Sequence, residues 1–228
     1  MNKILIIGSS GHSKVVIDIV EKQGLYEIIG IIDSFKLVGQ YVYNYEILGT
    51  EEDIPQILET HNVFGGIIAV GDNFTRMTLY QKICAIKPDF HFVNSIHPKA
   101  IMGKNVVIGD GTVIMAGTVI NSDVIIGKQV ILNTKCSVDH DVKVNDFSSI
   151  APGATLGENV EIGICSAVSL GANIIENKKI GNNTIVGAGA LVNKSFGDNE
   201  IVYGIPAKTI RKRKDSERYL GLRYKGKK

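Results

Sequence analysis

The sequence predicts a small parallel α/β domain followed by a long parallel β-helix. Three observations predict it. Residues 1–93 alternate short apolar runs with segments of helical spacing, the pattern of strands joined by helical crossovers. From Ile96 to Val192 every sixth residue is aliphatic or methionine, with no insertion. Four positions after many of these stands a small or β-branched residue, as at Thr112, Thr118, Cys136, Ser148, Ala154 and Ser166.

The elements follow in order. Lys3–Ile7 is a strand that ends at Gly8, and G-S-S-G-H-S is the turn into a helix over Val15–Gln23. Tyr26–Asp33 is the second strand, Glu51–Thr60 a helix, Gly65–Val70 a strand and Phe74–Ile86 a helix. The tyrosine-rich stretch from Phe35 to Tyr45 is a loop. In a strand–turn–helix unit, glycines let backbone N–H groups and the helix N-terminus approach a phosphate. The spacing Gly8-x-x-Gly11 lacks the G-x-G-x-x-G fingerprint, which excludes an ordinary dinucleotide oxidoreductase. An ordinary turn stays open as the other reading.

The six-residue period fits neither an α-helix nor a two-residue strand alternation. It marks a hexapeptide solenoid in which each hexad forms one side of a triangular coil. The aliphatic residue points inward, and Gly, Asn and Asp turn the corners. Residues 18 apart then stack about 4.8 Å from each other, and the column is roughly 27 Å long.

Composition narrows the function classes. Hydrophobic residues make up 44% and charged residues 21%, with a net charge of +2, so neither nucleic acid nor a membrane surface is an expected partner. Basic residues gather only in R-K-R-K-D-S-E-R and K-G-K-K near the end. The three cysteines, Cys84, Cys136 and Cys165, are widely spaced and read as reduced, buried side chains in a cytoplasmic protein. No run approaches a membrane span or a signal-peptide core.

One polar stretch stands out inside the repeat, D-H-D at 139–141. His140 lies two positions after the inward Val138 and so faces outward. A metal site needs three or four convergent ligands, and no other histidine or cysteine lies at a suitable spacing, so no metal is expected. A solvated histidine is one reading, and a general base with a carboxylate partner is the other. The 18-residue stacking sets Glu158 beside His140, where its charge raises the histidine's pKa. No G-x-S-x-G elbow is present, which points to direct attack without an acyl-enzyme.

The chain resembles a known family through I-L-I-I-G-S-S-G-H-S-K-V-V at the start, G-D-N-F-T-R near 71, H-P at 97, D-H-D at 139 and Y-G-I-P-A-K at 203. These motifs, with the hexad repeat, are similar to those of the sugar O- and N-acetyltransferases with a left-handed β-helix. That family is related to sialic acid O-acetyltransferase and to the N-acetyltransferases of nucleotide-linked amino sugars. The resemblance implies the left hand, a homotrimer, acetyl-CoA as co-substrate held between neighbouring prisms, and a role in surface-glycan synthesis. It implies three parts: 1–93, a Rossmann-like nucleotide-sugar domain; 94–195, the acyltransferase β-helix; and 196–228, an extension with a basic tail. It makes His140 the base and Asp141 its partner, and assigns Ser10, Gly11 and His12 to the sugar-nucleotide phosphates. Asp33 and Ser34 follow for the base or ribose, and Asn73 and Arg76 for the same crevice. Gly171, Ala172, Ala188 and Lys208 match the cofactor wall, and Lys194, Arg211 and Lys212 join Lys208 as cations for the CoA 3′-phosphate. The oxyanion is expected at the N–H of Gly157 or of the peptide that follows. Where many relatives carry a second histidine that contacts the acetyl group or the acceptor, this chain has Ser149, and the resemblance sets it among the cofactor-binding residues, where its hydroxyl can still donate a hydrogen bond. The acceptor is expected to be an amino group; a sugar hydroxyl and a non-catalytic trimeric scaffold are the alternatives.

Overall fold

The structure is a computed structural model and describes residues 1–214, 217, 218 and 220. β1 (Asn2–Ile7) leads into α1 (Gly11–Gln23) and β2 (Tyr26–Ile32). A hairpin of β3 (Tyr41–Val42) and β4 (Tyr45–Gly49) follows where a plain loop was expected. A 3-10 turn (Glu51–Asp53), α2 (Ile54–His61), β5 (Gly65–Ile68), α3 (Asn73–Ile86) and β6 (His91–Phe92) complete this part. The sheet order is β3-β4-β2-β1-β5-β6, parallel except for the hairpin pair.

Both faces of this sheet are covered, which is why β1 and β5 read as unbroken apolar runs. Leu5 and Ile7 pack with Ile54, Ile57 and Ile83 of the helices on one side. Ile4 and Ile6 pack with Val16, Ile17 and Val20 of α1 on the other, in a cluster that also takes in Val113, Met115 and Ile131 of the second half. α1 is therefore held between the sheet and the column that follows.

That column is built of two-residue strands, from β7 (Ser95–Ile96) to β23 (Leu191–Val192). They stack into three parallel sheets, the faces of a prism. Partners are offset by one coil, Val113 on Ile131 and Ile114 on Leu132, as the three-hexad coil predicts. β24 (Glu200–Gly204) extends the first face, and β25 (Ala207–Lys212) folds back antiparallel on it.

The inward aliphatics from Ile114 to Val192 and the small residues beside them form one core. Met102 in the lowest coil is 44% exposed, because no coil lies beneath it. Hydroxyls in the interior are satisfied along the corner. Ser166 Oγ donates to Gly181 O at 2.7 Å and accepts from Thr184 N–H at 2.9 Å. The corners need the left-handed region, which Asn and Asp enter more readily than other non-glycine residues. Asn105, Asp123, Asp141, Asn159 and Asn177 all occupy it along one edge. Cys136 and Cys165 are buried as expected, whereas Cys84 on α3 is half-buried. Among the described residues no helix is long and apolar enough to cross a membrane.

Candidate active site

His140 stands at the corner between the second and third faces, after β14 (Ser137–Val138). Asp139 fixes the approach to it, because its Oδ1 accepts the His140 N–H at 2.8 Å and Asn121 Nδ2 at 2.7 Å. Asp141 turns the corner with φ 59° and sets its Oδ2 2.7 Å from His140 Nδ1. One residue thus serves both the fold and the ring. Glu158 Oε2 lies 3.0 Å from Nε2, one coil further on, as the stacking predicts. Hydrogen bonding to Asp141, together with the charges of Asp139, Glu158 and Asp141, raises the His140 pKa against a smaller opposing effect of burial. With Asp141 accepting the Nδ1 proton, the lone pair of the neutral ring is on Nε2. At rest Nε2 faces Glu158, so both ring nitrogens have carboxylate partners and the imidazolium is favoured.

Two cavities open elsewhere, one within the α/β part and one between it and the first face. One, of about 280 Å³, lies at the carboxyl ends of β1 and β2 and is lined by Gly8, Asp33, Ser34, Phe35, Glu51, Val70, Phe74, Thr75, Thr78, Leu79, Lys82 and Arg218. The other, of about 440 Å³, is walled by His12, Gly71, Asn133, Ser149, Ala151, Ser169, Leu170, Ala188 and Tyr203, among others. Val70 borders the first and Gly71 the second, so the two meet at the turn after β5. The turn after β1 sits at the same junction. Gly8 takes φ 103° there, with Ala69 and Val70 too close for a Cβ. Ser10 caps α1 without a side-chain hydrogen bond, and a Cβ on Gly11 would touch nothing, which leaves the helix N-terminus open above the turn. His12 Nε2 is buried without a hydrogen-bond partner. Burial, aided by the charge of Arg76, lowers its pKa to about 4, so the ring is neutral at physiological pH.

Several expected site residues fall in other roles. Arg76 and Asn73 are wholly buried and do not face the crevice. Arg76 donates to Gln129 O at 2.8 Å, Phe147 O at 3.0 Å, and Val70 O and Gly71 O at 3.0 Å. Asn73 donates to Ser166 O at 2.9 Å and accepts from Arg76 and from the Ser149 hydroxyl. The pair is a clamp between α3 and the prism. Asp33 and Ser34 line the smaller cavity, and the Asp33 carboxylate ties its loop to the turn after β1, accepting Ser9 N–H at 2.8 Å, Phe35 N–H at 2.7 Å and Lys36 N–H at 3.1 Å. Ser34 gives its hydroxyl proton to Glu51.

The Gly157 N–H is not free for an oxyanion, since it bonds Ile174 O at 2.9 Å in the coil ladder. The next N–H, of Glu158, makes no backbone hydrogen bond among the described residues. Ala172 is fully buried in the core and cannot touch a cofactor, whereas Gly171 at its corner is exposed. Ala188 and Ser149 both line the larger cavity. Lys208 is exposed; Arg211 is paired with Glu217, and Lys212 with Glu200 at 2.9 Å. The basic residues Lys225, Lys227 and Lys228 lie outside the described residues.

Glu51 and Lys82, 2.6 Å apart, escaped the sequence reading. Their separation by more than thirty residues carries no motif. Neither cavity is lined by His140, Asp141 or Glu158. Within one chain, the acid-flanked histidine stands on a different edge of the prism from the larger cavity, and the smaller cavity lies in the α/β part.

Comparison with known proteins gives a consistent result. Residues 3–83 match the profile described as the PglD N-terminal domain. The chain is 34% identical over 116 residues to UDP-N-acetylbacillosamine N-acetyltransferase of Bacillus subtilis (strain 168); the match spans 48% of this chain and half the length of that enzyme. Among solved structures, PerB from Caulobacter crescentus in complex with CoA and GDP-perosamine is 33% identical with a TM-score of 0.84, covering 92% of this chain and 97% of that one. The acetyltransferase domain of PglB from Neisseria gonorrhoeae FA1090 in complex with acetyl coenzyme A is 32% identical with a TM-score of 0.82, covering 92% and 100%.

Proposed function

This chain belongs to the sugar N-acetyltransferases of left-handed β-helix fold, and from that premise we propose that it moves an acetyl group from acetyl-CoA to the amino group of a nucleotide-linked amino sugar. The observation that carries the reading is His140, exposed at a corner with Asp141 on Nδ1. Relatives that hold CoA and a nucleotide sugar support it. In this reading residues 1–93 present the acceptor and 94–195 supply the chemistry. The reaction belongs in the cytoplasm, where acetyl-CoA and nucleotide sugars are available, as a step of surface-glycan synthesis.

The acceptor's nucleotide occupies the smaller cavity, its pyrophosphate crosses Ser10, Gly11 and His12, and its sugar enters the larger cavity toward Ser149. Backbone N–H groups at an open helix N-terminus suit the phosphates. The amine nitrogen attacks the thioester carbonyl, and His140 Nε2 takes its proton. The tetrahedral oxyanion is held by the Glu158 N–H. Its collapse forms the amide and expels the CoA thiolate, which recovers the proton from the imidazolium. Glu158 leaves Nε2 when the acceptor arrives.

Because the larger cavity and His140 lie on different edges of the prism, a complete site joins two chains, which favours the homotrimer. Acetyl-CoA then runs in the groove between neighbouring prisms past Gly171, Ala188 and Lys208. The test is thiol release from acetyl-CoA across UDP-, GDP- and dTDP-linked amino sugars, with free sialic acid included. Turnover with an amino sugar is expected; turnover with sialic acid alone sinks the reading.

The pH profile gives a second check. The raised His140 pKa favours the imidazolium, and only the neutral ring accepts a proton. Activity therefore climbs with pH through a value above histidine's ordinary one. Asp141→Asn should fold normally, because Asn105, Asn159 and Asn177 take the same left-handed conformation on that edge. It removes the largest cause of the raised pKa, so kcat falls and the rising limb moves to lower pH. An unmoved limb would refute Asp141 as the partner.

A further inference from the structure

Resting on the reading that the acceptor is a nucleotide-linked sugar, we infer that its base is guanine, read by Glu51 and Lys82 in the smaller cavity. Glu51 lines that cavity and is only 5% exposed. Its Oε2 accepts the Ser34 hydroxyl and Lys82 Nζ, and no donor among the described residues reaches its Oε1. Oε1 is not among the buried atoms left without a partner, so it is open to the cavity, where a ligand with paired donors can take the place of solvent. The walls suit a flat ring. Phe74, Leu79 and Val70 line the cavity, and Phe35 stands at its rim 96% exposed. Phe35 is not loose, because Asp33 Oδ1 accepts its N–H and that of Lys36. A large apolar ring held in the open beside a cavity is positioned to stack on a base.

The polar edge decides which base. Lys82 donates and Glu51 accepts, side by side. Guanine presents in sequence the O6 acceptor, the N1–H donor and the 2-amino donor, so it meets the ammonium once and the carboxylate twice. Uracil and thymine also offer an acceptor and then an N–H donor, but their third position is the O2 acceptor, which sets a carbonyl against a carboxylate. Adenine offers one donor and one acceptor, and no third contact. Guanine alone makes three complementary contacts, and a site built around such bonds rejects bases that lack them.

Calorimetric titration of the full chain with GDP, IDP, UDP, dTDP and ADP tests this. GDP should bind at least tenfold more tightly than UDP, dTDP or ADP. IDP, identical except for the missing 2-amino group, should bind several-fold more weakly than GDP. Glu51→Gln should weaken GDP tenfold or more and spare UDP, since its amide donates to O2. UDP, dTDP or ADP binding as tightly as GDP overturns the inference, as does unchanged GDP affinity in a folded Glu51→Gln. Should that variant fail to fold, the ranking on the unaltered chain decides alone. A chain that prefers UDP yet transfers acetyl to an amino sugar loses only the guanine assignment. One that binds none of the five loses the nucleotide-linked acceptor as well.

Discussion

Replacing His140 by alanine is expected to lower kcat about 10²- to 10⁴-fold, the usual worth of a positioned general base, while acetyl-CoA still binds. That range is about 3–5 kcal/mol of barrier. The ring sits outside the core, so the variant should melt with the parent chain and the loss is chemical. An H140A chain that turns over at the parent rate would leave the column a scaffold. A mixing experiment extends the test. Gly11→Glu puts a negative charge at the phosphate turn without a clash, since nothing lies within 4 Å of a Cβ there. Alone it should be inactive. Co-folded with H140A it should recover part of the activity, because one interface of the hybrid pairs an intact histidine with an intact turn. A site contained in one chain would show no recovery.

The second large effect concerns stability. Arg76→Met should cost about 3–5 kcal/mol, the range found when one partner of a buried charged contact is removed. Four backbone carbonyls, on Gln129, Phe147, Val70 and Gly71, lose their donor at once, and a buried acceptor left without one carries its full desolvation cost. For a chain of this length the melting temperature drops by on the order of 10 °C. The clamp joins α3 to the prism, so the α/β part should loosen first, visible as hydrogen exchange in α3 ahead of the coils. An unchanged melting temperature would show that the clamp is dispensable.

Much of this was readable in the sequence. The hexad period gave the coils, their register and the contact between His140 and Glu158, because a repeat without insertions converts sequence distance into spatial distance. Tyr41–Val42 and Tyr45–Gly49 were not readable as a hairpin, since the first strand is only two residues long and carries no period. Arg76 was misplaced for a related reason: an arginine after a strand looks the same whether it faces ligand or carbonyls, and only packing separates the two. Of the two N–H groups open to the oxyanion, that of Gly157 is spent on the ladder, which a sequence alone does not separate from the next. Glu51 and Lys82 come from different elements and meet only in the folded chain.

The column has one more consequence. Its corners are turned by single left-handed residues, and no excursion leaves the coils between Ile96 and Val192. A surface without excursions offers few places to record which sugar or base is wanted. Change in the choice of base is thereby concentrated in the front sheet, where the hairpin and the Phe35 loop can lengthen or change without disturbing a coil. The prism can stay constant as an acetyl-transferring engine while lineages exchange the reading head in front of it. New nucleotide preferences should arise by changing residues 1–93, whereas the sugar still meets Ser149 and Ala151 of the repeat.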